Sequence, residues 1–135
     1  MKIVFEIPGK PGSKARPRLG KNGAYTPEKT RSYEAFVKHI FINKFKDFEP
    51  FNYRVKAKIT AIFEVPQSYS NKKRIMLLNT KYSYTKKPDA DNITKIILDS
   101  LNKLAYKDDA QISKLEVEKT YGEQEKVIVE LEEIE

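Results

Sequence analysis

The segment 51–65 alternates apolar and polar side chains more regularly than any other part of the chain. Every second residue from Tyr53 to Phe63 is apolar, and the residues between them are mostly cationic or hydroxylated. This period of two predicts a strand that buries one face, so another layer of secondary structure must cover that face. Two segments with apolar residues at helical spacing, at about 27–45 and 91–104, predict the helices of that layer.

Shorter patterns complete the predicted order of elements. They are strands at 2–7, 112–121 and 126–134, a short helix near 72–78 and an extended piece at 81–85. Thr26 is the expected N-cap of the first long helix, and Gly122-Glu123 predicts a hairpin between the last two strands. The order indicates an α+β class, in which residues 1–135 form a single domain with a mixed β-sheet and helices packed on it. Residues 10–26, rich in glycine, proline and cations, predict a basic mobile loop.

The composition excludes several classes of function. The 135 residues include no cysteine, which excludes disulfides, thiolate zinc sites and thiol nucleophiles. The one histidine, His39, lies inside the first predicted helix and is interpreted as structural. No phosphate-binding or dinucleotide-binding glycine motif is present, so we expect no nucleotide cofactor. No apolar run approaches the roughly 18 residues that cross a bilayer, and residues 1–6 are too short for a signal peptide, so we expect a cytoplasmic protein without a membrane partner.

Positive charge is concentrated in the first 115 residues. The net charge of the chain is +7, of which residues 116–135 contribute −6 and residues 1–115 contribute +13. A body this basic favours nucleic acid as a partner, although a solvated lysine-rich surface has the same composition. The acidic end is interpreted as one face of a strand, a docking edge or charge balance. The cations that we expect to contact DNA phosphates are Lys14, Arg16, Arg18, Lys86 and Lys87.

Aspartates are concentrated in the segment 86–112. Asp89 and Asp91 are two apart, so an extended backbone would direct both to one face, with Asp91 as the N-cap of the helix that follows. Lys95 and Asp99 continue the row from Asp91 at intervals of four, and Asp108-Asp109 follows the helix. Taken singly, each of these residues has an ordinary explanation: a helix cap, a solvated helix pair or a turn.

The carboxylates at the two ends of this helix meet only under one geometric condition. A helix of about fourteen residues is about 20 Å long, so strand 112–121 must pair beside the segment that carries Asp89. Gathered there, three or four carboxylates repel one another without a cation, and oxygen ligands without His or Cys favour Mg²⁺ or Mn²⁺. Such an ion in a basic body suits phosphodiester hydrolysis by in-line attack of a metal-activated water. Lys95 would either neutralise charge on the scissile phosphate or steady the carboxylates.

The acidic segment closely resembles a known family. The run P-D-A-D-N-x-x-K-x-x-L-D-x-L from Pro88 to Leu101, followed by A-Y-K-D-D-x-Q from Ala105 to Gln111, resembles the RusA family of Holliday-junction resolvases, which are small endonucleases. K-x-R-P-R at 14–18 and Y-T-P-x-x-T at 25–30 are similar to its phage-type branch. The resemblance spans nearly the whole chain and implies a RusA-like mixed sheet with helices. Asn102-Lys103 departs from the family, since many members have Asn-Gly there, and the departure concerns the local turn.

The resemblance implies a Mg²⁺-dependent homodimer, with Mn²⁺ as a substitute ion, that binds four-way DNA junctions and nicks two strands symmetrically in recombination and repair. Carried over by position, the catalytic residues are Asp89, Asp91, Lys95 and Asp109, and the metal ligands are Asp89, Asp91 and Asp109 with Asp108 assisting. Asp99 is expected to have a supporting role, such as a hydrogen bond to a neighbouring loop. The two-fold symmetry of a junction that needs two cuts is an independent argument for a dimer.

Two other functions stay open at this point. One is a protein that binds structured DNA without catalysis, and the other is a nuclease with broader specificity for flaps or forks. The intact set of aspartates argues against a pure binding protein, because carboxylates repel phosphates. Tyr82 and Tyr84 are interpreted either as platforms for unpaired bases or as ordinary strand residues.

Overall fold

The structure, a computed structural model, describes residues 1–134. Within that range the chain has six strands, three α-helices and one turn of 3₁₀ helix. In chain order they are β1 (Lys2–Pro8), β2 (Arg18–Gly20), β3 (Gly23–Tyr25), α1 (Glu28–Lys44), β4 (Arg54–Glu64), α2 (Asn71–Asn79), α3 (Ala90–Leu101), the 3₁₀ turn (Asp109–Gln111), β5 (Ile112–Gly122) and β6 (Lys126–Ile134). The α+β class predicted from the sequence is confirmed.

Four strands of the described chain form a mixed sheet in the order β1-β6-β4-β5. β6 is antiparallel to both of its neighbours, whereas β5 runs parallel to β4, with Glu64 opposite Gly122. The predicted hairpin between the last two strands is therefore wrong, because β4 lies between them. The physical reason is burial: β6 buries Val127, Val129 and Leu131 and takes a central position, while β5 buries only Thr120 and Tyr121 and takes the edge.

One face of the sheet forms the core together with α1 and α3. Alternate residues of β1, β4 and β6 are buried, as the period of two in β4 predicts. Phe5 of β1 lies beneath α1, with its ring centroid 5.5 Å from that of Phe41 and 5.8 Å from that of Phe45. The fully buried residues of the apolar stripe of α3 are Ile93, Ile96, Ile97 and Leu101. Burial of this stripe holds α3 against the core, so that its polar row faces outward.

On the opposite face of the sheet, lysine side chains neutralise glutamates, including glutamates of the acidic end of the chain. Ion pairs join neighbouring strands there: Lys2 with Glu130 at 3.2 Å, Lys56 with Glu116 at 3.5 Å, and Lys126 with Glu6 at 3.1 Å. Of the three interpretations of the acidic end, the structure supports charge balance on one face of the strands.

The connection from β5 to β6 crosses the end of β4. Residues 123–125 separate the two strands, and β4 has already ended at Glu64. Gly122 lies directly over Ile62, and a Cβ atom at position 122 would overlap the Cγ2 atom of Ile62. Gly122 is therefore required for the close approach of β5 to β4 and does not form the tight turn of a hairpin.

The predicted basic loop at 10–26 is partly structured. β2 and β3 pair as a small antiparallel hairpin whose residues are all exposed. The stretch before the hairpin is attached to both long helices. The Ala15 N–H donates to Thr30 Oγ1 of α1 at 3.3 Å, and the Lys14 N–H donates to the Asn92 carbonyl of α3 at 3.0 Å. The hairpin is thus carried by a stem that is fixed beside the start of α3.

Helix boundaries differ from the sequence predictions by one to three residues. The N-cap of α1 is Pro27 and not Thr26, and α3 begins one residue earlier and ends three residues earlier than predicted. His39 lies on the exposed side of α1, where the Asn43 side-chain amide donates to its carbonyl at 2.8 Å. No helix among residues 1–134 is long and apolar enough to cross a membrane.

Candidate functional site

The acidic motif begins at the N-terminus of α3. Asp89 is the N-cap residue, and its carbonyl accepts the hydrogen bond from the Ile93 N–H at 3.1 Å. Lys87 Nζ contacts both carboxylate oxygens of Asp89, at 2.9 and 3.1 Å, and Asp91 lies exposed in the first helical turn. The prediction that Asp91 caps the helix, with both aspartates on an extended segment, is wrong. Helical hydrogen bonding starts two residues earlier, with the Asp89 carbonyl as its first acceptor.

Asp91, Lys95 and Asp99 follow one another along the outer row of α3, as their spacing predicts. Lys95 Nζ lies 3.6 Å from the Asp99 carboxylate. Lys14 Nζ also reaches Asp99, at 3.2 Å, and Glu34 of α1, at 3.0 Å. The predicted contact of Asp99 with a neighbouring loop is confirmed as an ion pair, which ties the basic loop to both long helices.

This placement changes the interpretation of Lys14. Its side chain is 21% exposed. Burial alone lowers the pKa of Lys14, but hydrogen bonds to Glu34 and Asp99 outweigh burial, and the pKa is raised. A lysine that neutralises two partly buried carboxylates is poorly available to a phosphate. Its contact with DNA stays a prediction that these ion pairs disfavour, whereas Arg16 and Arg18 of the same loop are exposed.

Asp108 and Asp109 lie in the turn that leads into β5. Asp108 forms a capping box with Gln111: its side chain accepts from the Gln111 N–H, and its own N–H donates to Gln111 Oε1 at 2.9 Å. The Gln111 amide also donates to the carbonyls of Phe51 and Tyr53, at 2.9 and 2.8 Å, which fixes the turn beside the start of β4. This role of Gln111 was not predicted from the sequence, although D-x-x-Q is a recognisable capping-box signature.

Tyr106 connects this turn to α3. It is fully buried, and its hydroxyl donates to the Leu98 carbonyl. Burial, followed by the negative charges of Asp109 and Asp99, raises its pKa. Both carboxylates are thus close enough to Tyr106 to act on it. Asp109 lies toward the C-terminal half of α3, whereas Asp91 is two turns, about 12 Å, from Asp99 along the helix axis.

The pairing on which convergence of the carboxylates depends is present at one end of β5. Ser83 forms an antiparallel bridge with Thr120, and the Tyr84 N–H donates to the Lys119 carbonyl at 3.0 Å. The chain leading to Asp89 therefore runs beside the C-terminal end of β5, whereas Asp108 and Asp109 precede its N-terminal end, so this pairing does not by itself bring the carboxylates together.

The donor set suits a hard divalent cation, although it is not assembled into a cluster. Asp89, Asp91, Asp108 and Asp109 are all exposed and offer oxygen ligands alone, the chemistry that Mg²⁺ prefers. Among residues 1–134, however, no three His, Cys, Asp or Glu side chains are close enough together to hold a metal ion.

The segment ahead of Asp89 is held by aromatic contacts. Tyr84 stacks on Phe63, with ring centroids 3.8 Å apart and an interplanar angle of 8°, and its hydroxyl donates to the Lys87 carbonyl at 3.1 Å. Lys86 Nζ donates to the Tyr69 hydroxyl at 2.8 Å, which raises the pKa of Lys86. Tyr84 is therefore a packed structural residue, which is the second of the two interpretations given to the tyrosines. Tyr82 is 54% exposed, so both interpretations stay open for it.

A cavity of about 730 Å³ opens beside Asp89. It lies between residues 10–18, the first turns of α1 and the segment 87–92. The cations that line it are Lys10, Arg18, Lys29 and Lys87. The start of the acidic motif is therefore joined to a positively charged depression that is formed by three separate parts of the chain.

Comparison with known proteins supports a nuclease family. Residues 8–132 match the family model described as Endodeoxyribonuclease RusA. The chain is also similar to a protein of Bacillus subtilis (strain 168) named "Uncharacterized protein YqaN". The two are 31% identical over 138 aligned positions, which cover 98% of this chain and 96% of that protein.

Proposed function

Because the chain belongs to the RusA endodeoxyribonuclease family, we propose that it is a structure-specific endodeoxyribonuclease that resolves four-way (Holliday) junctions by paired, symmetric nicks. The observation that carries the proposal is the position of Asp89, whose carboxylate and partner Lys87 lie in the wall of a cavity lined by cations. Cations attract the phosphate backbone to the place where carboxylates would hold the metal ion that catalyses its hydrolysis.

We further propose that the activity depends on Mg²⁺, with Mn²⁺ as a substitute. Asp89, Asp91 and Asp109 would hold the ion, and Asp108 would assist from the adjoining turn. A bound ion supplies Lewis acidity toward the phosphate and toward water. Because these carboxylates do not form a cluster within residues 1–134, we expect weak ion binding in the absence of DNA.

Cations of the chain itself have two roles in this proposal. Lys95 is exposed one helical turn after Asp91 and offsets negative charge that develops on the scissile phosphate. Arg16, Arg18 and Lys86 contact phosphates on either side, and such contacts set the position of the DNA without reading its sequence.

The proposed working form is a homodimer. A four-way junction has a two-fold axis and requires two cuts, and each chain supplies one set of motif aspartates. A symmetric pair of chains places one set at each of the two related strands.

A second function is favoured by one observation. The separation of the carboxylates within the described residues is also expected of a protein that binds branched DNA without cutting it. A nuclease that acts on flaps or forks as well as junctions is a third possibility within the enzyme class.

Cleavage of a synthetic immobile four-way junction, beside a linear duplex of the same sequence, tests these functions. The assay compares wild type with Asp91→Asn, in Mg²⁺ and in EDTA. Asp47→Asn is a matched control: Asp47 lies outside the motif at a φ of 60°, a conformation that asparagine adopts readily.

Paired nicks that require Mg²⁺, are retained by Asp47→Asn and are lost in Asp91→Asn support the proposal. Junction binding without cleavage in Mg²⁺ or Mn²⁺ supports the binding protein and removes the catalytic assignments. Equal cleavage of flaps and forks would show the broader nuclease.

A further inference from the structure

The cavity beside Asp89 has the dimensions of a small-molecule site. Its volume of about 730 Å³ lies within the range of roughly 300–1,000 Å³ that is typical of ligand pockets. Its walls come from three parts of the chain that are fixed to one another by the Lys14–Asn92 and Ala15–Thr30 hydrogen bonds. The shape therefore exists before any ligand arrives.

The floor of the cavity is aromatic. Tyr33 and Phe36 lie side by side on α1, with ring centroids 6.5 Å apart, and Phe36 is 38% exposed. Gly12 lies against the ring of Tyr33, and a Cβ atom at position 12 would come within 2.6 Å of that ring, so glycine lets the loop pack closely there. Pro11 and Pro27 add further apolar surface. The exposed part of the Phe36 ring, at a charged surface, suits a flat, apolar ligand group.

The wall above this floor suits an anion. Lys10, Arg18 and Lys29 line the cavity, and Asp89, the one carboxylate among the described lining residues, is already paired with Lys87. The first turn of α1 also borders the cavity, and no side-chain hydrogen bond caps that turn in the described structure. Its N–H groups add positive potential to that of the lysines and the arginine.

An aromatic floor below a cationic wall points to a nucleotide. We propose that the cavity binds one unstacked nucleotide of the DNA strand, with its base on Phe36 and its phosphate at Lys29 and Arg18. The inference rests on the proposed DNA substrate and adds a source of structure specificity. A base paired in a linear duplex must leave its stack to enter, whereas a branch point offers a base at a lower cost. The cavity would therefore favour branched over linear DNA beside Asp89.

Binding of a short single-stranded oligothymidylate in EDTA tests this site without cleavage and without a junction. The chain contains no tryptophan, so Phe36→Trp introduces a single fluorophore at the cavity floor. Stacking of a base on that indole should quench its emission. Ile42→Trp is the matched control, because Ile42 lies on the same helix, is 52% exposed and does not line the cavity.

Two further substitutions test the chemistry of the wall and the floor. In the Phe36→Trp background, Lys29→Gln should weaken oligonucleotide binding by about threefold to tenfold, whereas Lys38→Gln, on the same helix but outside the cavity, should have little effect. Phe36→Ala, which has no tryptophan and is therefore compared with wild type by the anisotropy of a dye-labelled oligothymidylate, should weaken binding by about five- to a hundredfold, the range for the loss of one base–aromatic stack. Because Phe36 is partly exposed, its replacement should not unfold the protein. Circular dichroism of the variant checks this expectation.

Quenching in Phe36→Trp with an unchanged signal in Ile42→Trp supports the nucleotide site. Equal quenching in both variants, or binding of the oligonucleotide with no quenching in Phe36→Trp, overturns it, as does the absence of binding. The junction-cleavage assay decides the proposed function separately. A protein that cuts junctions but shows no quenching refutes the cavity alone, and one that quenches without cutting refutes the enzyme alone.

Discussion

Replacement of Gly122 by alanine is expected to destabilise the protein by about 2 kcal/mol, because the β5–β6 crossing leaves no space for a Cβ atom. The added atom overlaps Cγ2 of Ile62, while the next atom that it meets, Ile62 Cβ, is 3.8 Å away and in ordinary contact. The steric cost therefore depends on one methyl group of a β-branched residue in β4.

The magnitude follows from the two ways in which the overlap can be relieved. Rotation of Ile62 away from its preferred χ1 costs about 0.5–1.5 kcal/mol. A shift of the crossing backbone adds to this, and overpacking of a filled site typically costs about 1–3 kcal/mol in total. With a urea m-value of about 2 kcal/mol/M, the unfolding midpoint should fall by about 1 M.

Urea unfolding of wild type, Gly122→Ala, Ile62→Ala and the double variant forms the test. Ile62→Ala alone should cost about 1 kcal/mol, because a half-buried side chain loses three carbons. Ile62→Ala also removes the Cγ2 atom, so the double variant should be about as stable as Ile62→Ala alone. The two substitutions would then show a coupling energy of about 2 kcal/mol. Ile62→Val keeps a methyl group at that position and serves as the control that should not rescue Gly122→Ala.

Additive losses in the double variant would refute this account of Gly122. They would indicate a glycine that is required for its own backbone conformation, as in the turn of a hairpin. An unchanged midpoint for Gly122→Ala alone would show that the crossing has space for a methyl group.

Other predictions concern the loop, the buried tyrosine, the helix end and DNA binding. Lys14→Met should lower the free energy of unfolding by about 1–2 kcal/mol, because Glu34 and Asp99 then lack their shared cation. Since the pKa of Lys14 is raised above its ordinary 10.5, this contribution is complete below about pH 10.5 and is lost as pH rises through the folded-state pKa. Urea titrations in which wild type and Lys14→Met lose stability equally at alkaline pH would contradict it. Tyr106→Phe should cost about 1 kcal/mol at neutral pH. Because its pKa is also raised, from an ordinary 10.0, the variant should lose less stability than wild type above about pH 10, and an identical pH profile would argue against this. Lys103 has a φ of 73°, a left-handed conformation that favours glycine, so Lys103→Gly should raise the free energy of unfolding by about 1 kcal/mol; a lower unfolding midpoint in urea is the contrary result. If about six phosphates are neutralised, log K for junction binding should fall against log[salt] with a slope of about −5, and a slope near zero would exclude a nucleic-acid partner.

The helices and strands could be predicted because their signals are local. The period of two in β4 and the apolar stripe of α3 each follow from residues that are adjacent in sequence, and burial confirms both. The observed helix boundaries differ from the predicted ones by a few residues, because the start of a helix depends on which carbonyl accepts the first helical hydrogen bond. At α3 that carbonyl belongs to Asp89 and not to Asp91.

The candidate site could be predicted in its residue types but not in its contacts. The motif from Pro88 to Leu101 identifies the family without reference to any distance. The role of Lys14 could not be predicted, since its alternation with Arg16 and Arg18 suggested three equivalent cations. Only the packing of the loop against two helices shows that Lys14 is held by carboxylates, whereas Arg16 and Arg18 are exposed.

By itself, the sequence determined the three α-helices, the four strands of the mixed sheet, the α+β class and the family, because propensity, periodicity and motif spacing act over a few residues. The tertiary structure decided the insertion of β6 between β1 and β4, the proximity of Asp109 and Asp99 to Tyr106, and the cavity beside Asp89. These features join residues far apart in the chain. They depend on which apolar faces are buried together, and that competition is settled only when the whole core is packed.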